Sequence, residues 1–467
     1  MRAGTGPSVR EHLTRLVPAW RPSGERADRL VVLALAMVAF KASNSQFLSQ
    51  HLPGRPAELA NFILEYLAFL IFCVLAALAL RRPLAPWVVR CRPHRLLAMS
   101  PLFAALALVV VLFTAVPPVV GGRQLVDDAN AMAVCGARAI AAGADPYRVP
   151  EITCLNSLGV SPTLATPLKV GPLKNVAVYP TPAQILAAAS SPDQGGLRLF
   201  SPLGKPPLTP LAMVPVAGLP LWARTVWTAI PVLALLLALI FAAGSLWPAA
   251  GGLLLLTLFL NGSLVNFAAN GNGETFAYAL MALSVLWIRR PVVSAVCLAL
   301  AVGSNQLAWF FAPGYLLLAV EEGQVGRRLV AGAATLVVAV IPWLIRYPDA
   351  LGTIVGNLRA HTFPLGSGPI TLVLGGFVPA PSRTLLLALT AMAMVGIWTW
   401  GALAREYRVA ASVLLLAGFW LSWRSLDEYL AQIPLLALVA LFAVLGGRAG
   451  SGAAAPPLPA AGHPSPR

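Results

Sequence analysis

Charged residues are scarce in this chain: they make up 11% of its 467 residues, whereas hydrophobic residues make up 58%. The mean hydropathy is +0.77. A soluble protein of this length could not bury so much apolar surface, so the composition excludes a soluble globular class. It predicts an all-α fold, a polytopic transmembrane helical bundle with about 10–12 hydrophobic segments.

The sequence also lacks the signatures of several enzyme classes. It contains no GxxxxGKS or GxxxxGKT phosphate-binding loop, no HExxH pair and no paired CxxC. These absences leave a nucleoside triphosphatase or a zinc enzyme without support, and His361 alone does not make a metal site. We expect no cofactor and no metal ion.

Acidic residues are the rarer charged class, with 17 Asp and Glu against 33 Lys and Arg and a formal net charge of +16. A basic protein suggests nucleic-acid binding, but here the basic residues cluster between apolar runs and no aromatic residues alternate with them. Such clusters are typical of cytoplasmic loops, and they attract anionic lipid head groups. Membrane lipids are therefore expected partners, and nucleic acid is not.

The basic clusters predict a membrane topology. Residues 1–29 form a basic cytoplasmic N-terminus, residues 30–445 a single transmembrane domain, and residues 446–467 a cytoplasmic tail whose Gly, Ala and Pro content predicts disorder. The loop 121–221, of roughly a hundred residues, then lies outside the cytoplasm. Apolar segments are predicted at 30–48, 59–80, 96–120, 222–246, 251–266, 275–288, 329–345, 383–404, 409–423 and 430–445.

One further apolar stretch, residues 291–320, does not fit a single spanning helix. A pair of arginines precedes it and another pair follows it, so both ends carry a cytoplasmic marker. Residues 303–306, Gly-Ser-Asn-Gln, interrupt its middle. We therefore predict a hairpin of two short helices that turns inside the membrane, where irregular backbone must be buried in protein or line a cavity.

This topology places unusual polar residues on the extracytoplasmic side. Ionisable groups near the membrane are costly, so a converging set predicts a cavity that opens outward. A set of helix caps and loop charges at a wet rim is the alternative. The residues are Asp127, Asp128, Lys205, Asn270, Asn272, Glu274, Asn305, Gln306, Arg346, Asp349, Arg359, His361, Arg424, Asp427 and Glu428.

The outer loop begins with two adjacent acids, Asp127 and Asp128. The sequence from Asp128 predicts a helix with that aspartate as its N-cap and Gly143 as its C-terminal stop. Capping accounts for Asp128 but not for Asp127. A carboxylate beside another one and near the apolar boundary should have a raised pKa, which suits a general base.

Short motifs follow these acids along the chain. Asp145, Pro146 and Tyr147 come after the predicted helix, residues 200–211 form an aromatic and Pro-rich segment, residues 270–274 read Asn-Gly-Asn-Gly-Glu, and residues 423–430 read Trp-Arg-Ser-Leu-Asp-Glu-Tyr-Leu. With residues 126–128 and the break at Asn305, this series resembles GT-C integral-membrane glycosyltransferases. The nearest resemblance is to the polyprenyl-phosphate-mannose-dependent α-mannosyltransferases of glycosyltransferase family 87, and it covers most of residues 120–445.

The resemblance implies a GT-C-like architecture in which loop 121–221 is the large first catalytic loop. It implies an enzyme of the cell membrane that transfers a sugar, mannose or another hexose or pentose, from a polyprenyl-phosphate donor to a lipid or glycan acceptor. Transfer would occur at the extracytoplasmic face, with inversion at the anomeric carbon.

Roles for single residues follow from this chemistry. Asp127 is the candidate base and Asp128 its rival, because a carboxylate can remove the proton of the acceptor hydroxyl. Arg346, Arg359 and Arg424 are candidates for the phosphate, since a guanidinium makes paired hydrogen bonds to phosphate oxygens, although each also fits a snorkelling helix end. The remaining substrate-binding candidates are Lys205, Asn270, Glu274, Asn305, Gln306 and His361.

Two questions stay open at this point. Cys135 and Cys154 share the outer loop and either form a disulfide or remain two buried free thiols. Broken helices and polar residues at membrane depth are also typical of a lipid or glycolipid transporter or flippase without chemistry. The absence of an internal repeat favours the enzyme, and a non-catalytic scaffold would be favoured if Asp127 lay far from the cavity.

Overall fold

The computed structural model describes residues 24–43, 55–91, 93, 95–96, 102, 105, 109, 128–176, 179–190, 199–200, 203–244, 267, 271–366, 368–379, 381–425, 427–430 and 432–446. This part of the chain is mostly helical, which confirms the helical class. It includes three helices that are long and apolar enough to cross a membrane, Leu59–Leu80, Val325–Arg346 and Arg383–Leu403; the second of them consists of two consecutive α-helices that meet at Val340. The predicted segment 251–266 and the tail 447–467 lie outside the described residues, as does nearly all of 96–120.

Helices follow one another along the chain with little strand. They are α1 (Gly24–Ala42), α2 (Arg55–Leu80), α3 (Pro86–Cys91), α4 (Asp128–Ala141), α5 (Glu151–Ser157), α6 (Pro182–Ala189), α7 (Leu208–Met213), α8 (Leu221–Gly244), α9 (Glu274–Leu286), α10 (Pro291–Val302), α11 (Gln306–Glu322), α12 (Val325–Ala339), α13 (Ile341–Arg346), α14 (Asp349–Arg359), α15 (Ile370–Leu374), α16 (Arg383–Leu403), α17 (Arg408–Leu414), α18 (Asp427–Leu430) and α19 (Gln432–Gly446). Two short strands, β1 (Leu365–Gly366) and β2 (Arg424–Ser425), pair in parallel.

The main core joins helices from both ends of the sequence. Residues 432–442 of α19 are all buried. Helix α19 packs against α9, α17, α1 and α2, so it lies at the centre of the main core. A helix that is apolar on every side belongs in such a position.

Helix α1 begins at Gly24, before the predicted start of the first apolar segment at residue 30. Arg29, assigned from the sequence to a basic cytoplasmic stretch, therefore lies within α1 and is only 2% exposed. Its guanidinium donates to the carbonyl oxygens of Ala79 and Arg81 and pairs with Glu25. The last carbonyls of a helix lack partners of their own, so Arg29 ties α1 to the end of α2.

The hairpin predicted at residues 291–320 is present as two antiparallel helices, α10 and α11. Ser294 Oγ near the start of α10 lies 2.8 Å from the hydroxyl of Tyr315 near the end of α11. Nε of Arg289, two residues before α10, lies 3.7 Å from Oε2 of Glu322, the last residue of α11. The chain therefore reverses at residues 303–305, between the two helices.

Protein groups satisfy the irregular backbone of this reversal. The carbonyl oxygen of Gly303 accepts from the backbone N–H of Leu208 at 2.9 Å, and the carbonyl oxygen of Ser304 accepts from Thr209 Oγ1 at 2.6 Å. A Cβ at Gly303 would lie 2.7 Å from the Leu208 side chain, so only glycine allows this approach. Segment 203–209 is thus docked against the turn of the hairpin.

The described residues of loop 121–221 fold into a small layer of their own. Its first helix, α4, ends as predicted, because Gly143 has a φ of 73° and the N–H of Ala144 reaches back to the carbonyl of Ala139. Cys135 of α4 and Cys154 of α5 form a disulfide, with Cα atoms 5.9 Å apart. The bridge decides between the two alternatives left open by the sequence, and it fixes α4 against α5.

The predicted segment 409–423 is not one continuous α-helix. α17 ends at Leu414 and continues as a 3₁₀ helix, Leu415–Leu421, most of whose residues are buried. Gly418 in this stretch faces α16 so closely that a Cβ would lie 2.6 Å from the Met394 side chain. The tighter winding therefore accompanies a close approach to a membrane-length helix.

Candidate functional site

A cavity of about 290 Å³ lies where the outer loop meets the hairpin turn. Its walls come from the first residues of α4, α5 and α16, from residues 203–205, 305–307 and 422–424, and from the rings of Phe419 and Tyr429. Five of the candidate residues line it together: Asp128, Lys205, Asn305, Gln306 and Arg424.

The other candidates lie elsewhere. Glu274 lies behind Lys205 and pairs with it. Arg346 and Arg359 are exposed, and the Arg346 guanidinium lies over the ring of Tyr347, 5.9 Å from its centroid. His361 is exposed, and its carbonyl oxygen accepts from Lys169 N–H at 2.6 Å. Asp127 and Asn270 lie outside the described residues.

Two carboxyl groups face the cavity from neighbouring helices. Asp128 is the first residue of α4 and partly buried, and its Oδ2 accepts from the backbone N–H of Thr166 at 2.6 Å. Glu151 is the first residue of α5 and is only 4% exposed. Burial, and to a smaller extent the charge of Asp128, raise the pKa of Glu151 well above its ordinary value.

Guanidinium groups lie on another part of the cavity wall. Arg424 of β2 donates from Nη2 to the hydroxyl of Thr166 at 3.3 Å, and its buried Nε has no hydrogen-bond partner among the described residues. Arg383, the first residue of α16, donates to the carbonyl oxygens of Leu358 and Arg359 at 3.0 and 3.1 Å. Two cationic groups are therefore held by backbone and hydroxyl oxygens, without a carboxylate in those bonds.

Short extended segments position these groups. β1 pairs with β2 through Leu365 and Arg424, and Trp423 Nε1 donates to the Thr362 carbonyl at 2.9 Å. Isolated bridges join Pro167 to Phe200 and Leu168 to Thr362. Thr166 beside the first bridge, Thr362 in the second bridge and Arg424 of β2 all line the cavity. Backbone pairing thus brings together parts of the chain that are far apart in sequence.

An ion pair closes the cavity beside the hairpin turn. Lys205 is 17% exposed and binds Glu274, which is 2% exposed. Glu274 also accepts from the hydroxyl of Tyr278 at 2.6 Å. Gln306 donates to the carbonyl of Gly204. Asn305 caps α11 by accepting from Leu307 N–H at 2.9 Å, while its buried Nδ2 has no partner within the described part of the chain.

Aromatic rings complete the wall. Phe310 and Phe419 meet edge to face with centroids 5.0 Å apart, and the Tyr429 ring lies 5.6 Å from that of Phe419. Trp423 and Leu387 line the same space. The cavity therefore combines acids, cations, amides and apolar rings, a combination suited to an anionic ligand that also carries hydroxyl groups.

Sequence reasoning missed Glu151 and Arg383. Glu151 follows a proline at the start of a short helix, where an acid in the first turn is ordinary. Arg383 begins a predicted membrane segment, where a basic residue is equally ordinary. No local signal distinguishes either residue, because the cavity exists only after distant segments pack together.

Within the described ranges, no group of three or more His, Cys, Asp and Glu side chains is placed to hold a metal ion. Comparison of the chain with protein-family models, curated proteins and solved structures finds no match.

Proposed function

We propose that this protein is a multi-pass membrane glycosyltransferase with a GT-C-like architecture. It transfers a sugar, mannose or another hexose or pentose, from a polyprenyl-phosphate donor to a lipid or glycan acceptor at the extracytoplasmic face of the cell membrane. The observation that carries the proposal is the cavity, in which Asp128 and Glu151 share one space with Arg383 and Arg424.

Arg383 and Arg424 are the groups that bind the donor phosphate in this proposal. A polyprenyl phosphate is a good leaving group, and guanidinium groups stabilise the charge that develops on its oxygens as the bond to the anomeric carbon breaks. Arg424 has an Nε free of partners among the described residues, and the hydrogen bonds of Arg383 orient its guanidinium at the cavity wall. Both groups support a phosphate site without a metal ion.

The acids supply the proton acceptor. In the proposal, Asp128 removes the proton of the acceptor hydroxyl as that oxygen attacks the anomeric carbon from the side opposite the phosphate, which inverts the configuration. The hydrogen bond from Thr166 holds the carboxylate in place. Asp127, which precedes Asp128 in the sequence, remains a candidate for the general base.

A lipid-linked donor also fits the surroundings of the cavity. α16 is one of the membrane-length helices, and it enters the cavity wall with Arg383 and Leu387. Farther along the helix, Met392 and Val395 are 60% and 63% exposed. A polyprenyl chain that leaves the cavity along this helix meets apolar surface, while its phosphate stays near the guanidinium groups.

The direct test is sugar transfer by the purified protein in lipid nanodiscs, with a radiolabelled polyprenyl-phosphate sugar as donor. Asp128→Asn should lower kcat by about a hundredfold or more, the usual scale for losing a general base. Asp349→Asn, an exposed acid away from the cavity, is the matched control and should change little. Loss of activity in Asp127→Asn with full activity in Asp128→Asn would move the base to Asp127. Full activity in both would remove the pair from the chemistry.

The alternative, transport without chemistry, has its own outcome. If vesicles containing the protein move intact donor across the bilayer and no sugar is transferred to any acceptor, the transporter replaces the enzyme.

Sidedness is tested separately by single cysteines in a Cys91→Ser background. A cysteine at Thr163 should react with an impermeant thiol reagent in intact cells, and one at Gln324 should not; labelling at both would contradict the topology.

A further inference from the structure

Glu151 is an acid of the cavity that the proposed base does not use. It lines the cavity from α5, while Asp128 lines it from α4. Its side chain is almost fully buried, and neither Oε1 nor Oε2 has a hydrogen-bond partner among the described residues. A buried polar group without a partner is rare in a native protein, so its position at a cavity suggests that a ligand completes it.

The charge state of Glu151 follows from its neighbours. An ionised carboxylate in this position would lose its hydration without gaining a cation from the described residues, and it would also be repelled by Asp128. Taking up a proton removes both costs. A protonated carboxyl group then offers one O–H donor and a carbonyl acceptor, which matches the donor and acceptor of a hydroxyl group.

The helix that carries the Glu151 carboxyl group is held in place by a disulfide. Glu151 precedes Cys154 by less than one helical turn, and the disulfide of Cys154 holds α5 against α4. Leu155 of α5 and Ala131 of α4 are both fully buried in the same apolar cluster. A side chain held this firmly can discriminate between ligands that differ by a single hydroxyl group.

From this geometry we infer that Glu151 is protonated in the resting protein and binds a hydroxyl group of a sugar inside the cavity. The inference rests on the proposed function, because a sugar substrate supplies the hydroxyl. That hydroxyl belongs either to the donor sugar or to a glycan acceptor. Glu151 is a binding residue in this assignment, and the proton removed during transfer goes to Asp128.

Kinetics with donor and acceptor varied separately test the role. Glu151→Ala should raise one KM about tenfold, the scale of one lost hydrogen bond, with a much smaller effect on kcat. The substrate whose KM rises identifies the source of the hydroxyl. Glu151→Gln keeps a donor and an acceptor and should raise that KM less than Glu151→Ala does. Glu322→Gln, outside the cavity at the end of α11, is the control and should leave both constants unchanged.

A spectroscopic measurement separates this inference from the proposed function. The infrared spectrum of the wild-type protein at neutral pH should contain the carbonyl band of a protonated carboxyl group, which Glu151→Gln removes and Asp128→Asn retains. If Glu151→Gln does not fold, Glu151→Leu takes its place. If the wild type transfers no sugar but the band behaves as stated, the proposed function fails together with the sugar as ligand, while the protonated state of Glu151 stands. Absence of the band, or a loss of kcat in Glu151→Gln as large as in Asp128→Asn, overturns the inference.

Discussion

The disulfide between Cys135 and Cys154 offers a prediction whose size can be worked out. Its two residues are 19 apart in sequence, and a closed loop of that length lowers the entropy of the unfolded chain by an amount equivalent to about 3 kcal/mol. Replacing both cysteines by serine should make local opening of α4 and α5 easier by that amount. Since 1.4 kcal/mol corresponds to a factor of ten, the opening equilibrium should rise by about a hundredfold.

Hydrogen–deuterium exchange measures this opening directly. The amides of residues 131–157 should exchange up to about a hundredfold faster in the double variant, while amides of α19 should keep their rates. Cys91→Ser removes an exposed free thiol and serves as the control. Unchanged exchange in 131–157 would mean that packing alone holds the two helices, and the positioning of Glu151 by the bridge would then be refuted.

Three further predictions concern stability. Gly314→Ala should lower the stability of the fold by about 1–3 kcal/mol, because the added Cβ would overlap the backbone of α17. Gly332→Ala is the control and should be neutral or stabilising, because the nearest atom to its Cβ would lie 3.8 Å away. Equal midpoints of the two variants in thermal unfolding would contradict this. The pKa of Glu151 is raised on folding, so its contribution to stability is present below pH 4.5 and is lost as pH rises towards the folded pKa. In that window the free energy of unfolding of Glu151→Gln should rise relative to that of the wild type by up to about 1.4 kcal/mol per pH unit. A difference that stays constant with pH would refute the raised pKa. Lys205→Met removes the cation that pairs with buried Glu274 and should lower the free energy of unfolding in denaturant by about 3–5 kcal/mol. Adding Glu274→Gln should restore most of that loss. An unchanged stability of Lys205→Met would show that the pair does not stabilise the fold.

Much of the helical framework was predictable because hydropathy reports burial in lipid or protein over a whole segment. The predicted segment 59–80 coincides with the membrane-length helix Leu59–Leu80. The hairpin was also predictable, since a Gly-Ser-Asn run inside an apolar stretch breaks a helix wherever it occurs. α1 extends farther towards the N-terminus than predicted, because Arg29 finds carbonyl partners on another helix and is buried there.

The cavity was predictable only in part. Asp128 and Arg424 were predicted to lie at a cavity because they are polar residues beside apolar runs, and both line it. The hydrogen bond that links their surroundings, from Arg424 to Thr166, spans 258 residues of sequence. No periodicity encodes a contact at that separation. Glu151 was overlooked for the same reason, since its burial arises only when the segments around α5 pack together.

The hydrogen bonds at the turn of the hairpin also constrain the order of biogenesis. Thr209 precedes its acceptor Ser304 by 95 residues. At a synthesis rate of about 5–20 residues per second, the donor segment is made roughly 5–20 seconds before the turn that needs it. The segment that carries the donors Leu208 and Thr209 is therefore complete before the hairpin turn is synthesised, and the carbonyls of Gly303 and Ser304 can find their partners as soon as the turn itself is made.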